Sequence, residues 1–294
     1  MMSKSNRARL LMILSMFVFG TIAPFVRQIP VASGELALYR AVMAAVLLGA
    51  FLLITRQKIP FATIKRALPL LLCSGIAMGL NWVLLFEAYK HTTVSVATLS
   101  YYFAPVIVTV VSPVFFRERL TRRQVICFAM STLGLVLITG TGDLSQGSSH
   151  LTGVLYGLGA ATLYAAVILL NKLIKDVAGI HRTFLQFIAA IVILLPYVML
   201  TSGFSLHAVD LTGAVNLLIV GAVHTGVTYC MYFTALRDLP GQKAAILSYI
   251  DPLVAVLVSA LILGESMTVM HVVGGGLILG FTLWNELGTP AKAD

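Results

Sequence analysis

The second half of the chain repeats the first at a constant offset of 147 residues, and the repeating unit carries an odd number of apolar segments. Phe86 aligns with Phe233, Ala88 with Ala235, Lys90 with Arg237, Tyr102 with Tyr249, Pro105 with Pro252, Glu118 with Glu265 and Thr121 with Thr268, all without a gap, and Gly79 falls on Gly226. If each unit crosses a membrane five times, the second copy lies upside down relative to the first. Inverted repeats of that kind create a pseudo-two-fold axis in the membrane plane, and a site at their interface opens to either side by nearly equivalent motions. The pattern predicts a carrier.

Ten apolar stretches support the span count: Leu10–Arg27, Ser33–Thr55, Ala67–Tyr89, Val94–Phe116, Gln124–Thr139, Leu151–Leu173, Thr183–Thr201, Thr212–Leu236, Ala244–Leu263 and Thr268–Leu287. Most approach the ~20 residues a helix needs to cross a ~30 Å hydrocarbon core; the fifth is the shortest. The runs are continuous rather than alternating, which argues against a membrane barrel. With 59% hydrophobic and 11% charged residues and a mean hydropathy of +0.97, the chain has the balance of an integral membrane protein. The expected fold is all-α: ten transmembrane helices forming one membrane domain over 1–294, with a first repeat at 10–139, an external linker at 140–150 and a second repeat at 151–287. The linker, Gly140–His150, is rich in Gly and Ser and is expected to be a loop.

The basic residues orient this arrangement. With a cytoplasmic N-terminus, the inner segments hold Lys4, Arg7, Arg9, Arg56, Lys58, Lys65, Arg66, Arg117, Arg119, Arg122, Arg123, Lys172, Lys175, Arg182, Arg237, Lys243 and Lys292, which is 17 of the 20 Lys and Arg. Arg27 and Lys90 are left outside and Arg40 lies within a span. The positive-inside rule then puts both termini in the cytoplasm and the chain in the cell (inner or plasma) membrane. The net charge of +9 follows from this topology and implies no nucleic-acid partner. The basic, apolar start resembles a signal peptide without a small-x-small cleavage site, so it is expected to remain as an anchor. Cys73, Cys127 and Cys230 all lie in spans with no CxxC or His/Cys cluster, so no disulfide framework, metal or cofactor is expected. GxxxxGK[ST], HExxH and GxSxG are absent, which leaves an ion or solute gradient to drive any uphill transport.

One set of residues resembles a known family. Phe86-Glu-Ala-Tyr-Lys-His-Thr-Thr-Val-Ser-Val-Ala-Thr-Leu, then Pro105, then Glu118-Arg-Leu-Thr121 is similar to the EamA repeat of the drug/metabolite transporter superfamily. So is the second copy: Phe233-Thr-Ala-Leu, Ala244-Ala-Ile-Leu-Ser-Tyr, Pro252 and Leu263-Gly-Glu-Ser-Met-Thr268. The resemblance covers nearly the whole chain. It implies ten helices with cytoplasmic ends and a central cavity between spans one to four and six to nine, with spans five and ten to the side. Its members include exporters of amino acids, metabolites, aromatic compounds and drugs, some uptake systems, and distant exchangers of sugar phosphates or nucleotide sugars.

Candidate functional residues follow from cost and symmetry. Pro105 and Pro252, near the middle of their spans, interrupt helix hydrogen bonding and are candidate pivots or simple shapers of the bundle. Glu118 and Glu265 at the span exits, and Thr121 and Thr268, which can cap the next helix, are expected to be structural repeat residues. Arg40 and Asp251 lie inside spans, where a charge needs a partner or a wet cavity. They are expected either to face one central cavity, with Arg40 forking onto a substrate carboxylate or phosphate, or to pair and lock two helices. His224 is a candidate for proton coupling, with a neutral ring bonded to a nearby carbonyl as the simpler expectation. Glu87 is expected to pair with Lys90 on its own helix, or to serve an outer gate. Asn81, Trp82, Tyr101, Tyr102, Tyr164 and Tyr249 are candidate lining residues of an organic-solute pocket, as are Tyr229 and Tyr232. Gly274-Gly-Gly and Gly157–Ala161 are expected to be close helix contacts.

These residues predict a secondary transporter of a small polar metabolite, with amino acids or related solutes foremost and export the expected direction. It works by alternating access in a lipid bilayer, as a monomer or homodimer, with protons or a counter-substrate as coupling partners. Two alternatives stay open at this stage: a lipid-linked substrate carrier, flippase or membrane scaffold subunit, and a membrane enzyme, for which no paired catalytic constellation is present.

Overall fold

The computed structural model describes residues 4–56, 61–116, 121–140, 147–174, 177–239, 244 and 247–287, and every regular element among them is helical. In chain order these are α1 (Lys4–Gly20), α2 (Ile22–Arg27), α3 (Ser33–Ile54), α4 (Phe61–His91), α5 (Val94–Tyr101), α6 (Ala104–Phe116), α7 (Arg122–Gly140), α8 (Gly147–Leu173) and α9 (Gly179–Leu200). A short 3₁₀ turn (Leu206–Ala208) leads into α10 (Leu211–Leu218), a π-helix (Ile219–Val227) and α11 (Thr228–Asp238), followed by α12 (Ile250–Leu261) and α13 (Val269–Leu287). Seven helices among the described residues are long and apolar enough to cross a bilayer, and 250–261 and 269–285 are shorter apolar helices.

Local chemistry sets several of the boundaries. Thr93 caps α5 by accepting from Val96 N–H at 3.3 Å, Asp210 caps α10 through Gly213 N–H at 2.8 Å, and Thr268 caps α13 through His271 N–H at 3.1 Å. Thr121 and Gln124 form a reciprocal capping box at the start of α7, with N···O distances of 3.3 and 2.8 Å. The linker is shorter than expected. α8 already includes Gly147–His150, because Ser149 donates to the His91 carbonyl (3.2 Å) and His150 meets the Thr92 hydroxyl (2.9 Å), so tertiary contacts hold this Ser-rich turn in helix. Residues 141–146 lie outside the described residues.

The two prolines do not kink continuous helices. Span four breaks at Tyr102–Phe103, and Pro105 is the second residue of the new helix α6; a turn at Tyr249 precedes α12, where Pro252 is third. The reason is steric. A proline ring in a helix collides with the carbonyl four residues earlier, and for Pro105 that residue is Tyr101, where α5 ends. In the first turn of the next helix the missing N–H leaves nothing unsatisfied.

Contacts between the halves are exchanged as a two-fold operator requires. A β-carbon on Gly79 would fall 3.3 Å from Leu194 Cδ1, and one on Gly226 would fall 2.2 Å from Leu47 Cδ1. The offset of 147 turns one pair into the other. The same operation carries α3 onto α9 and α7 onto α13, and each of these mates packs against its partner. The α7–α13 contact is backbone to backbone: a β-carbon on Gly134 would lie 2.5 Å from the Gly274 carbonyl oxygen, and the reverse substitution meets the same limit. Large buried residues such as Phe86, Leu48, Phe187 and Leu194 fill the main core between α3, α4 and α9.

Candidate functional site

Arg40 is buried on α3, where the bundle core would make an unsupported charge expensive. Its support comes from three directions. Nε donates to Thr225 Oγ1 at 2.7 Å, the guanidinium lies 4.4 Å from the centroid of the Trp82 ring, and Phe86 is 5.7 Å away. Thr225 in turn donates to the Val220 carbonyl at 2.8 Å. That acceptor is five residues back, a contact produced by the π-helix, and π turns of this kind recur at functional sites. Asp251, in the first turn of α12, accepts from the Tyr102 hydroxyl at 2.6 Å.

Arg40 and Asp251 form no ion pair within 4 Å among the described residues, which corrects the expectation of a locked pair. Each is held by a neutral group, and Tyr89, Tyr101 and Tyr229 lie within coulombic range of both charges. Aromatic rings flank each charge, one group beside Asp251 and another beside Arg40. Tyr101 meets Tyr102 (5.8 Å between centroids) and Tyr164 (5.3 Å), while Phe187 meets Trp82 (5.6 Å) and Tyr229 (5.3 Å). Opposite charges that do not pair with each other and are flanked by aromatic rings have the chemistry to hold the two ends of a zwitterion.

The other candidates are distributed more widely. Asn81 donates to the Ala160 carbonyl at 2.6 Å and ties α4 to α8. His224 sits in the π-helix with Nδ1 3.3 Å from the Ile219 carbonyl and Nε2 3.2 Å from the Thr21 hydroxyl. Glu87 pairs with Lys90 at 3.2 Å on α4, with His91 at 3.9 Å. Tyr249 falls at the turn before α12. Glu118 lies outside the described residues.

Glu265 has more partners than a span-exit residue needs. It accepts from Arg27 Nη1 at 2.5 Å, from Val94 N–H at 2.8 Å and from the Ser259 hydroxyl. The other Arg27 nitrogens donate to the carbonyls of Tyr89 and Thr92 at 3.0–3.3 Å. Two adjoining cavities, of about 360 and 560 Å³, share Arg27 and Lys90 in their lining on this face. Nothing in sequence spacing marks Arg27, Thr225, Ser95 or Ser259. The contacts Arg27–Glu265, Arg40–Thr225 and Ser95–Ser259 join positions 164 to 238 apart, and only packing brings them together. Glu35 is likewise unmarked by spacing. Buried at the start of α3, it accepts from Tyr39 (2.8 Å) and from the N–H and hydroxyl of Ser205 (2.8 and 2.5 Å). No group of three or more His, Cys, Asp or Glu able to hold a metal occurs among the described residues.

The geometry has relatives. The model of the EamA-like transporter family matches residues 6–140 and 151–285, one match per repeat. The uncharacterized transporter YxxF of Bacillus subtilis is 31% identical over 268 residues, which cover 89% of this chain and 83% of that protein. A probable amino-acid metabolite efflux pump of Salmonella typhimurium is 28% identical over 182 residues, 59% of this chain and 60% of the other. One solved crystal structure superposes with a TM-score of 0.66 at 15% identity over 99% of this chain and 100% of its own, a likeness of fold.

Proposed function

The chain belongs to the EamA-like transporter family, and on that premise we propose that it is a secondary carrier of amino acids or closely related zwitterions, working by alternating access. It is a multi-pass transporter of the cell membrane. In our reading its ten spans form two inverted sets of five, with both termini in the cytoplasm. The observation that carries the substrate class is that Arg40 and Asp251, two opposite charges within spans, take neutral partners and not each other. Each charge is buried or half-buried and held by a neutral hydroxyl, so a solute carboxylate can meet the terminal nitrogens of Arg40 while its ammonium meets Asp251. The Salmonella relative, named as a probable amino-acid metabolite efflux pump, supports the same class and the outward direction. A proton or counter-solute gradient supplies the work.

Flux into proteoliposomes tests this directly. A panel of neutral amino acids, simple amines, simple carboxylates and sugar phosphates is offered in counterflow. Zwitterions should exchange, and amines or carboxylates alone should exchange poorly because each satisfies only one charge. Exchange of sugar phosphates with none of amino acids would overturn the substrate class.

A further inference from the structure

We propose that spans four and nine close the Arg27 face through a polar zipper whose innermost contact is released by substrate. The inference rests on the alternating-access reading and names the gate within it.

Three contacts join the two spans in antiparallel order. At the mouth, the Val94 N–H donates to Glu265 at 2.8 Å, with Arg27 clamped onto the same carboxylate. In the middle, the Ser95 hydroxyl donates to Ser259 Oγ at 2.7 Å, both side chains being buried, and Ser259 donates onward to Glu265. At the bottom, the Tyr102 hydroxyl donates to Asp251 at 2.6 Å. Positions 94, 95 and 102 thus run against 265, 259 and 251. The seam reaches from the vestibule to the charge on which the substrate ammonium is placed.

Its lower end coincides with the two helix breaks, at Tyr102–Phe103 and at Tyr249. Above the break α5 packs on α12 as well as on α8 and α7, and below it α6 packs on α8 and α7. The half of span four that carries the zipper therefore has a helix break beneath it and is the half that packs on α12. An ammonium arriving at Asp251 competes with the Tyr102 hydroxyl for the carboxylate. Loss of that contact weakens the closed seam only when substrate is present, which is the differential interaction that a ligand needs in order to shift a conformational equilibrium. Hydrogen bonds are suited to such a seam, since water replaces each of them on opening.

The test uses the full-length chain in oriented proteoliposomes, with Cys73, Cys127 and Cys230 replaced and Tyr101→Cys as reporter for a membrane-impermeant maleimide. Adding Ser95→Cys and Ser259→Cys and oxidising them should join the seam and lower labelling from the Arg27 face by about tenfold or more, with recovery on reduction by dithiothreitol. Labelling from the opposite face should continue, which shows that the protein is folded. Glu265→Gln, without the cysteine pair, should raise labelling from the Arg27 face by about tenfold. Unchanged labelling from that face with the disulfide formed, or unchanged labelling in Glu265→Gln should the cysteines not join, overturns the zipper. Equal, simultaneous labelling from both faces in every variant overturns alternating access itself, a separate outcome.

Discussion

Arg40 concentrates the residue-scale argument. Its three supports engage Nε and the guanidinium face, and on the proposed function the terminal nitrogens are left for the substrate. Arg40→Gln removes a charged hydrogen-bonding group worth about 1.5–3 kcal/mol, so calorimetric affinity for a transported amino acid should weaken roughly 10- to 150-fold. Arg40→Lys should not rescue it, because an ammonium cannot reproduce the planar fork. Thr225→Val should weaken the same affinity by leaving Nε without its acceptor, while Thr225→Ser keeps it. Wild-type affinity in both Arg40→Gln and Thr225→Val would take this pair out of the site. Glu265 shows the limit of residue-by-residue inference: its symmetry and its place at a span exit suggest a structural role, and only its partners reveal a cross-repeat contact.

At the scale of elements, two devices shape the bundle: breaks and close approaches. Pro105 and Pro252 end the preceding helical half and begin the next, so spans four and nine are jointed rods. The π-helix in span eight turns His224 and Thr225 toward Thr21 and Arg40, and its extra residue per turn produces the contacts five residues apart. Close approach is clearest where α7 meets α13. Gly274→Val should push these helices apart at the Gly134 carbonyl, costing about 1–3 kcal/mol as overpacking. Gly276→Ala, where a β-carbon meets nothing within 4 Å, should be tolerated. Thermal unfolding in detergent compares the two. A Gly274→Val midpoint equal to that of Gly276→Ala would mean that the interface yields at little cost.

For the whole molecule, the exchange of Gly79–Leu194 for Gly226–Leu47 matters most. A contact network that maps onto itself when the halves are swapped gives the two ends of the cavity equivalent construction. On the proposed alternating-access cycle, a motion that closes one end has a counterpart that closes the other, on the microsecond-to-second timescale of such transitions. A cysteine at Tyr101, probed with impermeant maleimide from each face in turn, should respond to an amino acid in opposite senses on the two sides. A response in the same sense on both sides would describe a channel.

The sequence alone determined the class of this protein. Continuous apolar runs, a 147-residue repeat and skewed basic residues suffice to predict helices, repeats and a membrane, because each of these follows from local composition and periodicity. It also marked Arg40 and Asp251, since a charge within an apolar span is visible without coordinates. The tertiary structure decided which partners those charges take. It kept them apart, gave Asp251 to Tyr102 and Arg40 to Thr225 and Trp82, and assembled Arg27, Val94, Ser259 and Glu265 at one mouth. Such partners are chosen by the packing of distant helices, and no spacing rule along the chain encodes a contact across 238 positions.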